Sequence, residues 1–93
     1  MQPTVLINQH RQTALIVAES GKKQLVVELH KGKLTVKALS AKDIEKRGYA
    51  LSDYPPKQAA LSYLSHAAGV GDRAREYLEG VARGEFSGTL EFG

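Results

Sequence analysis

Apolar and polar residues alternate in three successive runs, Thr13 to Glu19, Gln24 to His30 and Lys33 to Leu39, each rich in Val, Ile, Leu and Thr. Gly21-Lys22-Lys23 and Lys31-Gly32 separate them. Branched side chains at period two, broken by glycine turns, predict a three-stranded antiparallel meander. A two-residue loop at Lys31-Gly32 pairs His30 with Lys33, Leu29 with Leu34, Val27 with Val36 and Leu25 with Ala38, which makes one face uniformly apolar. A first turn that pairs Glu19 with Gln24 brings Ala18, Ile16 and Ala14 onto that same face. The other face then reads Leu15, Val17, Val26, Glu28, Thr35 and Lys37, a mixed surface. The expectation is that the N-terminal segment, the C-terminal tail or a second copy of the chain covers it.

Helical periods follow. Ser40, with Asp43 three residues on, predicts a capped short helix from Ala41 to Arg47, anchored by Ile44 and ended by Gly48. Tyr49 to Tyr54 reads as a loop. Pro55-Pro56, with Asp53 as cap, opens a second helix whose apolar stripe is Ala60, Leu61, Leu64, Ala67 and Ala68, ended by Gly69. Asp72 caps a third, with Ala74, Tyr77, Leu78, Val81 and Ala82 on one face and Gly84 as its stop. Gly80 inside it costs about 1 kcal/mol relative to Ala, so the helix frays there or something packs close. Residues 1–12, with the apolar run Thr4 to Ile7, are an arm or an edge strand. Residues 85–93 alternate Phe86, Gly88, Leu90 and Phe92 with polar residues, as an extra strand or a flexible tail. The expected fold is α+β in a single domain over 1–93: an antiparallel β-meander of three to five strands with two or three helices packed on one face.

Composition narrows the function classes. A chain of 93 residues suits one core and leaves little room for a deep enclosed pocket. The absence of Cys excludes disulfides, thiolate metal sites and a cysteine nucleophile, and fits a cytoplasmic protein. No basic-then-apolar leader opens the chain, and the apolar run Ala14 to Ala18 is far short of the roughly 20 residues a membrane helix needs. The net charge of +3 is unevenly placed: residues 1 to 50 carry nine cations against four anions, residues 51 to 93 four against six. A basic sheet half and a slightly acidic helical half follow, which could steer an acidic partner.

Candidate chemistry is sparse. His10, His30 and His66 lie on three elements without metal-ligand spacing. The serines read as caps, turns and helix surface, with no G-x-S-x-G elbow. Gly69-Val70-Gly71 opens a helix but lacks the lysine, hydroxyl and preceding strand of a phosphate-binding loop. Glu76 and Glu79 alternate with Arg73, Arg75 and Arg83 as on an ordinary solvated helix face. Leu64, Ala68, Gly69, Val70 and Leu78 fall roughly at helix-turn-helix spacing, which makes Lys57, Arg73, Arg75 and Arg83 candidate DNA contacts, although the helix pair is close to neutral. The meander has no aromatic residues with which to stack bases. These readings favour a non-catalytic binding or interaction module with a protein partner, above all itself as a homodimer through Leu15, Val17, Val26, Phe86, Leu90 and Phe92. A small DNA-binding regulator is the alternative. No cofactor, catalytic residue, metal site or membrane is expected.

Overall fold

The structure, a computed structural model, describes residues 3–66 and 71–85. In chain order the elements are β1 (Thr4–Ile7), β2 (Thr13–Ser20), β3 (Lys23–His30), β4 (Lys33–Ser40), α1 (Ala41–Lys46), β5 (Ala50–Ser52), α2 (Pro56–Leu64) and α3 (Asp72–Ala82). The strands form one antiparallel sheet in the order β4-β3-β2-β1-β5, so the fold is α+β.

The β3–β4 hairpin has the register its sequence predicts, with His30 opposite Lys33, Leu29 opposite Leu34, Val27 opposite Val36 and Leu25 opposite Ala38. Lys31 and Gly32 take φ of 51° and 75°. Two successive left-handed residues are the pattern of a type I′ turn, one of the two two-residue hairpin turns whose twist matches that of the strands. The β2–β3 hairpin starts as expected, with Glu19 opposite Gln24 and Ala18 opposite Leu25, and then shifts: Ile16 pairs with Val26 and Leu15 with Val27. Val17 is the extra residue of a β-bulge, and an extra residue reverses the facing of everything beyond it. Leu15 and Val17 therefore join Ala18, Leu25 and Val27 on the first face, while Ala14 and Ile16 move to the second. This corrects the regular alternation read from the sequence.

α2 and α3 cover the first face. Ala59, Ala60 and Tyr63 from α2 and Leu78 and Val81 from α3 form one buried cluster with Val5, Leu15, Val17, Ala18, Leu25 and Val27. The second face has a smaller cluster, Leu6, Ala14, Ile16, Val26 and Leu39, against which Ile44 of α1 and Tyr49 pack. The topology explains this placement. β4 and β5 are opposite edges of a five-stranded sheet, about 19 Å apart at strand spacing, so the chain linking them must cross one whole face. That link carries Ile44 and Tyr49.

Local departures from the sequence reading have local causes. β1 is an internal strand between β2 and β5. The stretch read as a loop contains β5, whose three residues are too few for a periodic signal and which is defined by pairing with Leu6 and its neighbours. Asp53 does not cap α2, whose N-cap is Pro55 without a side-chain hydrogen bond. The helix turns out at Ser65, and Leu61 of the expected apolar stripe is 60% exposed. Asp72 is the first helical residue of α3 rather than its cap, which is Gly71. Gly80 does not fray the helix: its carbonyl accepts the Glu85 N–H at 2.8 Å in the closing turn. No helix among the described residues is long and apolar enough to cross a membrane.

Candidate binding cleft on the second face

Beyond the apolar patch under α1, the second face turns polar toward the β3–β4 turn. Alternation along β3 puts Val26, Glu28 and His30 on this face, and alternation along β4 adds Lys33, Thr35 and Lys37, with Glu28 opposite Thr35. The crossing chain supplies Arg47 and Tyr49. A cleft of about 300 Å³ lies between them, lined by Gln12, Glu28, Leu29, His30, Thr35, Lys37 and Tyr49.

Glu28 organises the cleft. Its side chain is only 14% exposed, and a carboxylate drawn that far from water must be compensated. The Tyr49 hydroxyl donates to Oε2 at 2.6 Å. Lys37 Nζ lies 3.4 Å and Arg47 Nη1 3.3 Å from Oε1. Burial first, and then the Glu28 carboxylate it serves, hold the Tyr49 hydroxyl well above the usual phenol range. Tyr49 is therefore a fixed donor at neutral pH.

The two cations are held differently. Their side chains are 44% and 39% exposed, and half-exposed ion pairs contribute only about 0.2–1 kcal/mol each. A hydrogen bond to a charged group is worth about 1.5–3 kcal/mol, so Tyr49 anchors Glu28 and the cations follow. Ammonium offers three N–H donors and guanidinium five. Glu28 orients both groups without exhausting them.

A second chain of contacts forms the opposite wall. Asn8 turns the β1–β2 loop: its Oδ1 accepts the backbone N–H of His10 and of Gln12, both at 2.9 Å, and its Nδ2 donates to Gln12 Oε1 at 2.8 Å. With the Gln12 amide so oriented, its Nε2 donates to His30 Nδ1 at 2.6 Å. In the neutral ring this leaves the proton on Nε2, a further donor. His30 is thus held in place by a side chain from another loop, rather than being only a solvated turn residue.

The expected site residues fall elsewhere. Leu15, Val17 and Val26 are 0%, 1% and 0% exposed. The chain's own helices cover them, which corrects their reading as a surface for a second copy: the bulge turns two of them under α2 and α3, and α1 covers the third. Phe86, Leu90 and Phe92 lie outside the described residues. Lys57, Arg73, Arg75 and Arg83 are exposed, but the solvent side of α3 alternates its arginines with Asp72, Glu76 and Glu79. Arg83 is engaged with Glu79 at 3.9 Å and Glu85 at 3.3 Å, and Arg73 Nε donates to the Tyr77 hydroxyl at 3.4 Å. The stretch joining α2 to α3, residues 67–70, lies outside the described residues.

Glu28 and Lys37 were legible as polar members of the second face, and the hairpin register alone makes them diagonal neighbours. Arg47, Tyr49 and Gln12 carried no such signal, because only the crossing link and the Asn8 turn bring them there. Among the described residues, no three His, Asp or Glu side chains are grouped as a metal ion would need. A second, apolar groove of about 230 Å³ lies under α2 on the first face, lined by residues that include Ile7, Leu29, Tyr54 and Tyr63, and the Tyr63 hydroxyl there donates to Thr13 Oγ1 at 2.9 Å. The chain matches no protein-family model, and no curated protein or solved structure matches it either.

Proposed function

We propose that the protein is a non-catalytic binding module whose second-face cleft takes an anionic oxygen group, a carboxylate or phosphate, of its ligand. The observation that carries the reading is the Glu28 centre, which orients Lys37 and Arg47 while leaving them partly exposed. Their pairing is weak enough for a ligand anion to compete for the remaining N–H donors. Lys33 and His30 extend the donor surface along the same face. The Thr35 hydroxyl, between Lys33 and Lys37 along this face of β4, can donate or accept, which suits a ligand carrying hydroxyls beside its anionic group.

The experiment is an amide-resolved NMR titration with pyrophosphate in one arm and glutarate in the other. Shifts concentrated on Gln12, His30, Thr35, Lys37, Arg47 and Tyr49 support the reading, and the tighter arm identifies the anion class. Lys37→Ala combined with Arg47→Ala weakens binding by about tenfold or more, whereas Lys57→Ala with Arg83→Ala, on the helical side, leaves it unchanged. Equal shifts at every lysine, or equal loss in both double variants, would sink the idea.

Self-association is a second reading, favoured by β4. This edge strand is eight residues long and has no bulge toward β3, and it carries Val36 at 37% exposure. Open edges of that length pair with other strands. A two-fold axis at Val36 sets Leu34 against Ala38 of a second copy. Light scattering over a wide concentration range tests it: a dimer abolished by Val36→Lys supports the edge, and a monomer throughout removes it.

A further inference from the structure

The bulge at Val17 has an effect at the far end of β2 as well as in the core. Past it, Thr13 stands opposite Leu29, and continuing that register by one residue sets Gln12 against His30. Without the extra residue, Thr13 itself would oppose His30 and Gln12 would fall on the other face. The loop ahead of Gln12 is closed by its own backbone. The Asn8 N–H donates to the Gln12 carbonyl at 3.1 Å and the Arg11 N–H to the Asn8 carbonyl at 3.0 Å, with Arg11 at φ 60°. Asn8 and Gln12 therefore project from a tied turn.

Hydrogen bonding along this row has one direction. Asn8 Oδ1 accepts two backbone N–H groups, those of His10 and Gln12, so turning the Asn8 amide over would set its NH2 group against both. Asn8 Nδ2 then donates to Gln12 Oε1, which leaves Gln12 Nε2 as the group facing His30 Nδ1 at 2.6 Å. A side-chain amide nitrogen is a donor only. Nδ1 of the neutral ring must therefore be the acceptor, and the ring proton sits on Nε2. Among the described residues this Nε2–H has no protein partner. His30 lines the cleft two residues from Glu28 on the same face of β3, roughly 7 Å along the strand. Lys37 and Arg47 converge on Glu28, and two cations at one point suit a phosphate monoester, which carries up to two negative charges.

Resting on the anion-binding reading above, we propose that His30 is the cleft's second point of recognition. Held as a neutral Nε2–H donor by Asn8 and Gln12, it takes an uncharged oxygen, a hydroxyl or carbonyl, that the ligand carries about 7 Å from a phosphate monoester bound at Lys37 and Arg47. The ligand class narrows to a short phosphorylated polyol or its carbonyl counterpart. Asn8 and Gln12 are positioning residues, acting through the tautomer of His30.

The test has a part without ligand and a part with it. Nitrogen-resolved NMR of the imidazole ring, above the pH range in which histidine titrates, is expected to show the His30 proton on Nε2 and a scalar coupling from Gln12 Nε2 to His30 Nδ1 that disappears in Gln12→Ala. A proton on Nδ1 would overturn the tautomer lock whatever the cleft binds. Titration then compares glycerol 3-phosphate with propyl phosphate, which has the same anion without the hydroxyls. The wild type is expected to prefer glycerol 3-phosphate by about fivefold, the worth of one hydrogen bond. That ratio is expected to fall to about one in His30→Ala and to shrink in Gln12→Ala, with the amide spectrum of α3 as the check that each variant is folded. Equal affinities in the wild type, or a preference that survives His30→Ala, would overturn His30 as a recognition point while leaving anion binding standing. A preference lost in His30→Ala but intact in Gln12→Ala would overturn the positioning role. Failure of both esters to bind would overturn the proposal, and the glutarate arm then decides the anion reading separately.

Discussion

The two faces of the sheet use the same strands in opposite ways. Under α2 and α3 the alternate residues of β1, β2 and β3 are apolar across the whole width and bury Leu15, Val17, Val27 and Leu78 almost completely. On the other face the apolar patch is smaller and gives way, two residues along β3 from Val26, to Glu28 and its three partners. The difference follows from what covers each face. Two helices of 9 and 11 residues can seal a face, whereas a six-residue helix on a crossing link seals only part of it. The uncovered remainder is where polar groups can reach both water and a ligand. On the proposed function, the first face is the seat of stability and the second the seat of recognition.

The largest effect expected from this division is on the first face. Leu78, fully buried in the main cluster, loses about 2–5 kcal/mol as Leu78→Ala. Leu39→Ala, in the smaller cluster on an edge strand, falls at or below the lower end of that range, because its surroundings can relax toward solvent. Urea unfolding of the two variants measures the contrast, and equal losses would break it.

Next is the hydrogen bond that ties the polar centre to the second face. Tyr49→Phe leaves Glu28 short of its shortest contact and costs about 1.5–3 kcal/mol. The wild-type contribution depends on pH with a definite sign. The folded phenol is raised above its ordinary value of 10.0, so the unfolded chain ionises first. The stabilisation is full below about pH 10 and is lost as pH climbs from there toward the folded value. Tyr63 is raised too, chiefly by burial. Tyr49→Phe is therefore expected to flatten the alkaline fall in stability without abolishing it, as thermal melts between pH 8 and 11 would show. An unchanged slope would mean that Tyr49 is not coupled to folding.

A smaller effect lies at the start of α1. Ser40 Oγ accepts the Asp43 N–H and Asp43 Oδ2 accepts the Ser40 N–H, both at 3.2 Å, and that reciprocal pair holds the Asp43 carboxyl below its ordinary range. Ser40→Ala costs about 1 kcal/mol, and hydrogen exchange is expected to show the loss as faster opening of α1 while α3 stays protected. Uniform opening of both would mean that the two faces unfold together.

How much of this could be read from the sequence depended on how local the cause was. The β3–β4 register was legible to the residue because a two-residue glycine turn leaves it no freedom, and α1 was legible because Ser40, Asp43 and Gly48 carry its beginning and end. The facing of β2 was not. Leu15, Ile16 and Val17 are all apolar, so neither alternation is excluded by composition, and only packing under two helices selects the bulge at Val17. β5 and the cleft were hidden for a related reason. Ala50 to Ser52 becomes a strand only because β1 is there to pair with, and Tyr49 and Arg47 meet Glu28 only because the link from β4 has to cross the sheet. Sequence pattern reports what each segment prefers alone, and both of these features belong to how segments meet.

The smallest stability effect is the one that separates the two faces most sharply. Lys37→Ala removes one half-exposed ion pair, 3.4 Å from Glu28, and costs less than about 1 kcal/mol. The loss shrinks further as salt is raised, since screening at 1 M acts over about 3 Å. If the pair were only structural, nothing else would change. If the cleft binds an anion, the same substitution removes a donor the ligand uses directly, and affinity falls by about tenfold. Urea unfolding and pyrophosphate titration on the same variant give the two numbers. A variant that is nearly as stable as wild type and clearly impaired in binding assigns Lys37 to recognition. Unimpaired binding by that equally stable variant would remove Lys37 from the site and leave Glu28 with only a structural role.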